Sequence, residues 1–556
     1  MPASRITVDI VNTGSRAEVE GGTTMAEIAS EIASELDFRP ICARVNNKTE
    51  GLHYAVYAPK IVEFLDISSD SGRRCYVRSL SMMLYCAVHR LFPGAKLSIA
   101  HSVANGYYCR FTGIEASAGN ISAIEREMRS LHAQALPFVR HERPRTEVIE
   151  MFRRAGLDDK VRLLETIDSL YSVYYTLGEV ADSYYGCLAP DTGHIGVFAL
   201  TPYMDGALLR AFDSADPARV PQIIDQQKMF DAFTNYKVFN NIIGVSDVGE
   251  LNRVDIEGKS RDLINVAEAL HEKYIARISD CITERYERDG TRVVLIAGPS
   301  SSGKTTFTKR LAVQLRTNLL NPIQISLDNY FIDRHLTPLD ENGDYDYESL
   351  YALDLEQFNS DLNAIIAGRE VELPCYSFES GTRYWRGDKV RLGERSIILI
   401  EGIHGLNPQL TEAIDPRYKF MIYVSALTTL AIDDHNWVPT TDNRLLRRII
   451  RDSKYRGTSA LDTLRRWPSV RRGEQRWIFP YQENADMMFN SSLLFELGVM
   501  KSYGEAVLAA VPNTVPEYAQ AYRLRKFLSY FRPIPSEMIP PTSLLREFLG
   551  GSSFHY

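Results

Sequence analysis

No stretch of the 556-residue sequence reaches the roughly 18 consecutive apolar residues of a membrane span, and the N-terminus carries no apolar signal core. The expectation is a cytoplasmic protein with no membrane partner. Clustered cysteine is also missing. The seven cysteines, at 42, 75, 86, 109, 187, 281 and 375, form no C-x-x-C pair and no Cys/His ligand spacing, so neither a zinc knuckle nor a disulfide framework is expected. There is no low-complexity segment and no internal repeat. Positive charge is not in excess: 63 Lys and Arg face 71 Asp and Glu, a net charge of −8. That balance argues against a broad nucleic-acid or anionic-membrane surface, although a local basic patch is compatible with it. What is present is ordinary for a globular protein, with 45% apolar and 24% charged residues. The length is enough for about three to four domains.

The pattern along the chain divides it into a multidomain protein with two α+β units followed by an α/β unit. Residues 1–70 read as a small α+β unit: Arg5–Val11 alternates as a strand, Met25–Leu36 has helical spacing, and Ile41–Asn46 and Ile61–Ile67 are further strands. Residues 71–215 hold an apolar helix Tyr76–Phe92, strands at Lys96–Ala100 and Gly106–Phe111, helices at Ser122–Gln134 and Lys160–Thr176, and a strand at Thr192–Leu200. A helical linker spans 216–290, with a polar, turn-rich stretch at Gly249–Lys259 and an amphipathic helix at Arg261–Arg285. From 291 to 512, short β-branched runs at Val293–Ala297, Ile323–Leu327, Ser396–Ile400 and Phe420–Val424 suit a buried parallel sheet. The 513–556 tail holds a basic-aromatic helix, Tyr518–Tyr530, then a Pro-rich end expected over the surface.

Residues 298–305 read Gly-Pro-Ser-Ser-Ser-Gly-Lys-Thr directly after a strand and before a helix from about Thr306. The spacing G-x-x-x-x-G-K-[S/T] makes a phosphate cradle. Gly298 and Gly303 allow a tight turn, so Ser300, Ser301, Ser302 and Thr306 can aim backbone N–H groups at one anion. Lys304 reaches the β- and γ-phosphates of ATP, and the Thr305 hydroxyl can hold Mg²⁺. Phosphoryl transfer also needs a group to deprotonate the acceptor. Asp328 follows the next strand, at the sheet edge where such folds bind ligands, and is the candidate base; an Asx turn would use the same residue. Glu401 ends a third apolar strand, as a metal-contacting carboxylate would. Asp346, Tyr376, Phe378 and Arg383, with Tyr330, supply an acid and rings suited to a hydroxyl-bearing ring ligand, though aromatics serve as core more often. Arg444, Arg447, Arg448 and Arg451 share one face of a helix over Asn443–Tyr455, which suggests a lid closing on phosphates.

In this order, Gly298–Thr306, Asp328-Asn329-Tyr330, Tyr345-Asp346-Tyr347, Pro374–Phe378, Glu401-Gly402-Ile403, Arg444–Asp452 and Tyr481–Asp486 resemble the uridine kinase branch of the uridine kinase/phosphoribulokinase family. The resemblance covers about Val293–Gly498 and implies a P-loop kinase using ATP and Mg²⁺ to phosphorylate a nucleoside 5′-hydroxyl. It makes Asp328 the base and Asp346 the ribose ligand, lines the base pocket with Tyr376 and Phe378, and sets Arg444 and Arg447 at substrate and phosphates. Where the pyrimidine kinases carry a base-reading His after Tyr-x-Phe, this sequence has Gly381, so that contact is missing.

Residues 5–68 resemble the TGS (β-grasp) module of threonyl-tRNA synthetase, and 76–210 its editing domain, through Leu91-Phe92-Pro93 and Asn105–Tyr108. The positions of the editing H-x-x-x-H motif are Arg78 and Met82, which cannot do its acid–base work; Cys187 and His194 remain. The implied role is an editing-dead domain for ligand sensing, interdomain contact or assembly, and a homo-oligomer is left open. The alternatives to a nucleoside kinase are an RNA- or tRNA-binding regulatory ATPase, which the net charge and lost His pair disfavour, and a kinase of another hydroxyl compound such as a sugar phosphate or pantothenate.

Overall fold

The computed structural model describes residues 5–341 and 343–555. Strands β1 (Arg5–Ile10) and β2 (Ser15–Glu20), helix α1 (Met25–Glu31) and strands β3 (Cys42–Val45), β4 (Lys48–Glu50) and β5 (Lys60–Leu65) form a first unit. Its mixed sheet has the order β2-β1-β5-β3-β4, with β1 and β5 parallel. Thr24 and Glu27 close α1 as a reciprocal capping box.

The second unit is built on α2 (Asp70–Leu91), whose apolar stretch Leu80–Val88 is buried throughout. Around it lie β6 (Lys96–Val103), β7 (Gly106–Thr112), α3 (Ala118–Gln134), β8 (Val139–Pro144), α4 (Arg145–Arg154), α5 (Asp158–Thr166), β9 (Tyr171–Leu177), β10 (Val180–Asp182), β11 (Ala199–Tyr203) and β12 (Gly206–Arg210). They make two antiparallel sheets, β11-β12-β7-β6 and β10-β9-β8. The helix expected over 160–176 ends at Thr166 instead. Its second half alternates as Tyr171-Ser-Val-Tyr-Tyr-Thr-Leu and pairs with β8 from Tyr171 to Thr176, so strand periodicity wins there. The strand expected from Thr192 starts at Ala199, after a 3₁₀ turn at Thr192–His194.

Helices α6 (Gln227–Ile243), α7 (Val248–Ile256) and α8 (Ser260–Asp289) follow. The stretch read as a turn-rich linker is α7, started by an Asp247/Glu250 capping box. None of the three is a loose linker: α8 packs Ile275, Ile278 and Ile282 into the core of the last unit, and α6 adds Met229 and Phe233 to its sheet.

That last unit runs through β13 (Val293–Ala297), α9 (Lys304–Thr317), β14 (Asn321–Ser326), α10 (Leu355–Ile366), β15 (Val371–Ser377), β16 (Thr382–Val390), β17 (Ser396–Glu401), β18 (Lys419–Ser425), β19 (Ala431–Asp433), β20 (Asn436–Trp437), α11 (Thr440–Tyr455), α12 (Ala460–Trp477), β21 (Met487–Asn490) and α13 (Glu496–Ala509). Its five-stranded sheet, β14-β17-β13-β18-β21, is parallel throughout and covered on both faces. The unbroken apolar runs of β13 and β17 are what two covered faces require. The expected α/β layering with a parallel sheet is therefore present. The tail, α14 (Tyr518–Leu528) and α15 (Arg546–Leu549), does not lie over the surface: Leu544, Leu545 and Phe548 have no exposed area and join the main core. Among the described residues, no helix is long and apolar enough to cross a membrane.

Candidate active site

Three neighbouring strands deliver the chemistry to one edge of the sheet. Parallel register sets Glu401 opposite Ile296 of β13 and Ser326 of β14. Gly298 and Asp328 thus leave the carboxyl edge on either side of Glu401, in the crevice where sheets of this type take ligands. The loop after β13 turns through Ser301 at φ 59° and Gly303 at φ 84°, the latter serving as N-cap of α9. A side chain at Gly303 would also collide with Leu544 of the tail, so glycine is doubly required. Ser301 Oγ and Ser302 Oγ are buried without a hydrogen-bond partner among the described residues. Lys304 donates to the carbonyls of Gly298 (2.8 Å) and Pro299 (3.2 Å), held on the loop itself. Orphaned hydroxyls, a buried ammonium and a helix N-terminus fit the phosphates of ATP.

Thr305 Oγ1 and Ser326 Oγ donate to Glu401 Oε1 at 3.5 and 3.3 Å, so the two groups expected to hold Mg²⁺ adjoin. Burial first, and then the charge of Asp328, push the Glu401 carboxyl up to about 7, against the pull of Lys304. Asp328 sits exposed at the crevice mouth. Its pKa is raised by the loss of surrounding water, with Lys304, Arg456 and Arg451 opposing. A third acid was not singled out from sequence. Glu348 has a buried, unpartnered Oε2, and its pKa is raised by burial against the pull of Arg448 and Lys304. His404 is another, 2% exposed, with Nδ1 unpartnered and its pKa lowered to about 4 chiefly by burial.

The arginine stripe of α11 is not a solvated lid face. Arg444 and Arg447 are 1% and 0% exposed and ion-paired with Glu474 and Glu496. Arg444 Nε donates to the Ser300 carbonyl at 3.0 Å, so it braces the cradle from behind. Arg447 holds the Ser491 carbonyl at 2.8 Å and lies over the Phe548 ring. Arg451 pairs with Asp452 at 3.2 Å. Arg448 is the member that reaches a cradle side chain, donating to Ser300 Oγ at 2.9 Å.

Beyond Asp328, the β15–β16 hairpin presents rings. Tyr376 and Phe378 meet edge to face at 5.2 Å, and Phe331 stands 5.5 Å from Tyr376. Phe378 is 60% exposed, an apolar face open to a ligand. Tyr330 is different from the expectation: it is 1% exposed, donates to Asp361 at 3.1 Å and packs on Phe358, so it is core and not substrate contact. Asp346 is half-buried and accepts from the Glu348 N–H at 3.1 Å. Arg383 pairs with Asp354 at 2.7 Å. Gly381 adopts φ 70°, and a Cβ there would meet Arg334 Nε at 2.7 Å. Arg334 thus packs against Gly381 and donates to the Phe378 carbonyl, and a side chain at 381 would have to displace it.

The tail closes the cradle's far side. Glu547 accepts from Thr306 N (3.2 Å) and Thr306 Oγ1 (2.7 Å), in the first turn of α9. A carboxylate on that N–H competes with a nucleotide phosphate for the same donor. Glu547→Ala is expected to tighten ATP binding about tenfold in a calorimetric titration. A weakening would mean that Glu547 supports the nucleotide instead.

Residues 293–493 match the model of the phosphoribulokinase/uridine kinase family. This kinase-family region holds the P-loop, Asp328, Glu348, Glu401, the arginines of α11 and the β15–β16 rings, while Glu496, Leu544, Glu547 and Phe548 lie beyond it. Its solved structural neighbours include a possible uridine kinase from Bacillus stearothermophilus (21% identity, TM-score 0.24, covering 36% of this chain and 89% of that one). D-glycerate 3-kinase from Cryptococcus neoformans var. grubii is another (15% identity, TM-score 0.22, 46% and 87%). The N-terminal region matches threonine–tRNA ligases. That of Desulforamulus reducens is 31% identical over 185 residues, 33% of this chain, and that of Clostridium perfringens strain SM101 is 32% identical over 171 residues, 30% of this chain. The chain spans 29% and 26% of the length of these two relatives. At the positions read as the lost His pair, Arg78 donates to the Cys187 carbonyl at 2.9 Å and Met82 is fully buried. His194 is held by Asp191 at 2.8 Å. Cys42, Cys75 and Cys187, remote in sequence, converge with their sulfurs within 4.8 Å of one another, a cluster that spacing along the chain could not reveal.

Proposed function

We propose that the protein is an ATP-dependent kinase that moves the γ-phosphoryl group to the 5′-hydroxyl of a nucleoside. The observation that carries this reading is the strand register that sets Asp328 and the cradle on either side of Glu401, with the open rings of Tyr376 and Phe378 beyond. The cradle and Lys304 hold the phosphates. Asp328 takes the hydroxyl proton as the acceptor oxygen bonds to the γ-phosphorus, and the bond to the β–γ bridging oxygen breaks to release ADP. Thr305 and Glu401 would hold Mg²⁺, which neutralises charge on the β- and γ-oxygens when bound. Asp346 binds ribose hydroxyls, and the rings of Tyr376 and Phe378 stack a base. With Arg334 packed against Gly381, the pocket offers a guanidinium to acceptor atoms on the base edge.

The reading is tested by incubating the full chain with ATP, Mg²⁺ and a nucleoside panel and looking for monophosphate. No turnover of any nucleoside would sink it, and turnover of a sugar phosphate or pantothenate alone would transfer the chemistry to that acceptor. Metal affinity gives a separate check. Glu401 must be ionised to bind a cation, and its carboxyl lies near pH 7. Apparent Mg²⁺ affinity in the presence of ATP is therefore expected to rise as pH climbs through about 7 and then level off. Glu401→Gln should flatten that rise.

A further inference from the structure

A cavity of about 270 Å³ lies where the first unit, the second unit and the tail meet. Six cations line it: Lys48, Arg74, Arg78, Arg140, Arg523 and Lys526. Two lining carboxylates answer them, Glu50 to Lys48 at 2.6 Å and Glu142 to Arg140 at 2.9 Å. Arg523 is held by Asp442 through two 2.6 Å bonds. Among the described residues the other three have no carboxylate partner. Arg74 reaches only Ser71 Oγ at 3.3 Å, Arg78 the Cys187 carbonyl, and Lys526 has no hydrogen-bond or ion-pair partner among the described residues. Six cations against Glu50, Glu142 and Asp442 leave the cavity with more positive charge than its surroundings neutralise, and burial, then the neighbouring Arg523, push Arg74 down to about 10. Its tyrosines, 175, 184, 185 and 522, add ring faces and hydroxyls. The volume is just under the usual range for drug-sized ligands.

We propose that this cavity binds a small organic phosphate, of sugar-phosphate or mononucleotide size, and that binding alters the affinity of the P-loop for ATP. The connection runs through Arg523. Its partner Asp442 lies in the first turn of α11, the helix whose Arg444 and Arg448 hold Ser300 of the cradle. An anion beside Arg523 draws the guanidinium from Asp442 and loosens that hold. The proposal does not depend on which acceptor the kinase site uses.

The test is calorimetry on the full chain with ribose 5-phosphate, uridine monophosphate and inorganic phosphate as probes. Lys304→Ala removes competing binding at the P-loop. An organic phosphate is expected to bind Lys304→Ala as it binds the native protein, and at least tenfold more weakly to Arg74→Ala and to Lys526→Ala. Lys526 is exposed, so its variant keeps the fold. ATP affinity should shift about tenfold with the probe present, within the usual range of coupling, and not in Arg523→Gln. The proposal fails if binding vanishes in Lys304→Ala, survives Arg74→Ala and Lys526→Ala, is shown by inorganic phosphate alone, or leaves ATP affinity unmoved. It fails too if tRNA alone binds there with steep salt dependence.

A second observation concerns the thiols beside this cavity, one of which, Cys187, lines it. The geometry of Cys42 on β3, Cys75 on α2 and Cys187 after β10 points to a zinc site. Three buried sulfurs within 4.8 Å of one another can share one ion at about 2.3 Å each. His53 lines the same cavity as Cys187. Elemental analysis of the purified full chain is expected to find one zinc per chain, and cobalt exchange to give a thiolate charge-transfer band. Cys75→Ser and Cys187→Ser should abolish both, while Cys109→Ser, a buried cysteine outside the cluster, keeps them. A protein that takes up no zinc after dialysis against it, or an intact mass showing a disulfide among the three, would overturn the assignment.

Discussion

Asp328→Asn is expected to lower kcat by about 10²–10⁴-fold with the KM for ATP nearly unchanged. The asparagine keeps the size and the 3₁₀ turn after β14, whose Asp328 N–H donates to Ser326 Oγ, so the strand edge stays in place. What is lost is the proton acceptor, a contribution confined to the transition state, and kcat and kcat/KM should fall together. The metal site should not weaken. Asp328 raises the pKa of Glu401, so its neutralisation leaves Glu401 more ionised at pH 7. The pH dependence of Mg²⁺ affinity should then move to lower pH in the variant. Steady-state kinetics with the acceptor found in the nucleoside panel measure the first effect, and a loss below about tenfold would remove Asp328 from the base role.

The largest stability effect is expected at the seam between the second unit and the kinase-family region. Lys160 of α5, 1% exposed, is bound by Asp182 of β10 at 2.7 Å and Asp433 of β19 at 2.9 Å. His435 adds a third link to Asp182 at 2.8 Å. Lys160→Met leaves two buried carboxylates facing each other and should cost about 3–5 kcal/mol, seen as a lower midpoint in chemical denaturation. Lys160→Met with Asp433→Asn should recover part of that loss, because one of the stranded charges is gone. A single-variant shift of about 0.5 kcal/mol, the scale of a surface change, would mean that the cluster does not hold the seam. The histidine gives the pH sense. Burial opposes its charge, but Asp182 outweighs it and the pKa is raised. Its share of the stability is full below the unfolded value of about 6.5 and is lost as pH rises through the higher folded value.

The sequence made the sheet and the cradle legible because both depend on local signals. Runs such as Ser396–Ile400 are apolar on both faces, and the Gly298–Thr305 spacing is a single turn of chain. Asp328 and Glu401 could be placed because each ends a readable strand. Burial was less legible. Tyr330 carries the same ring as Tyr376, and only packing on Phe358 assigns it to the core. The α11 arginines share a face by periodicity, yet the acidic partners of Arg444 and Arg447, Glu474 and Glu496, come from other helices. Glu348, Arg334 and Glu547 act through contacts remote in sequence, and no spacing announces them. The same holds for the three cysteines.

The tail has a bearing on synthesis. Chains emerge from the ribosome N-terminus first, and domains made early fold early. Here the core of the kinase-family region is completed by Leu544, Leu545 and Phe548, and the rim of its cradle by Glu547, all of them translated after every strand of its sheet. The first and second units can fold while translation continues, but the P-loop region cannot close its core until residue 548 has left the ribosome. Removal of residues 544–556 would therefore leave an exposed apolar channel beside α9, with aggregation rather than a trimmed protein as the outcome.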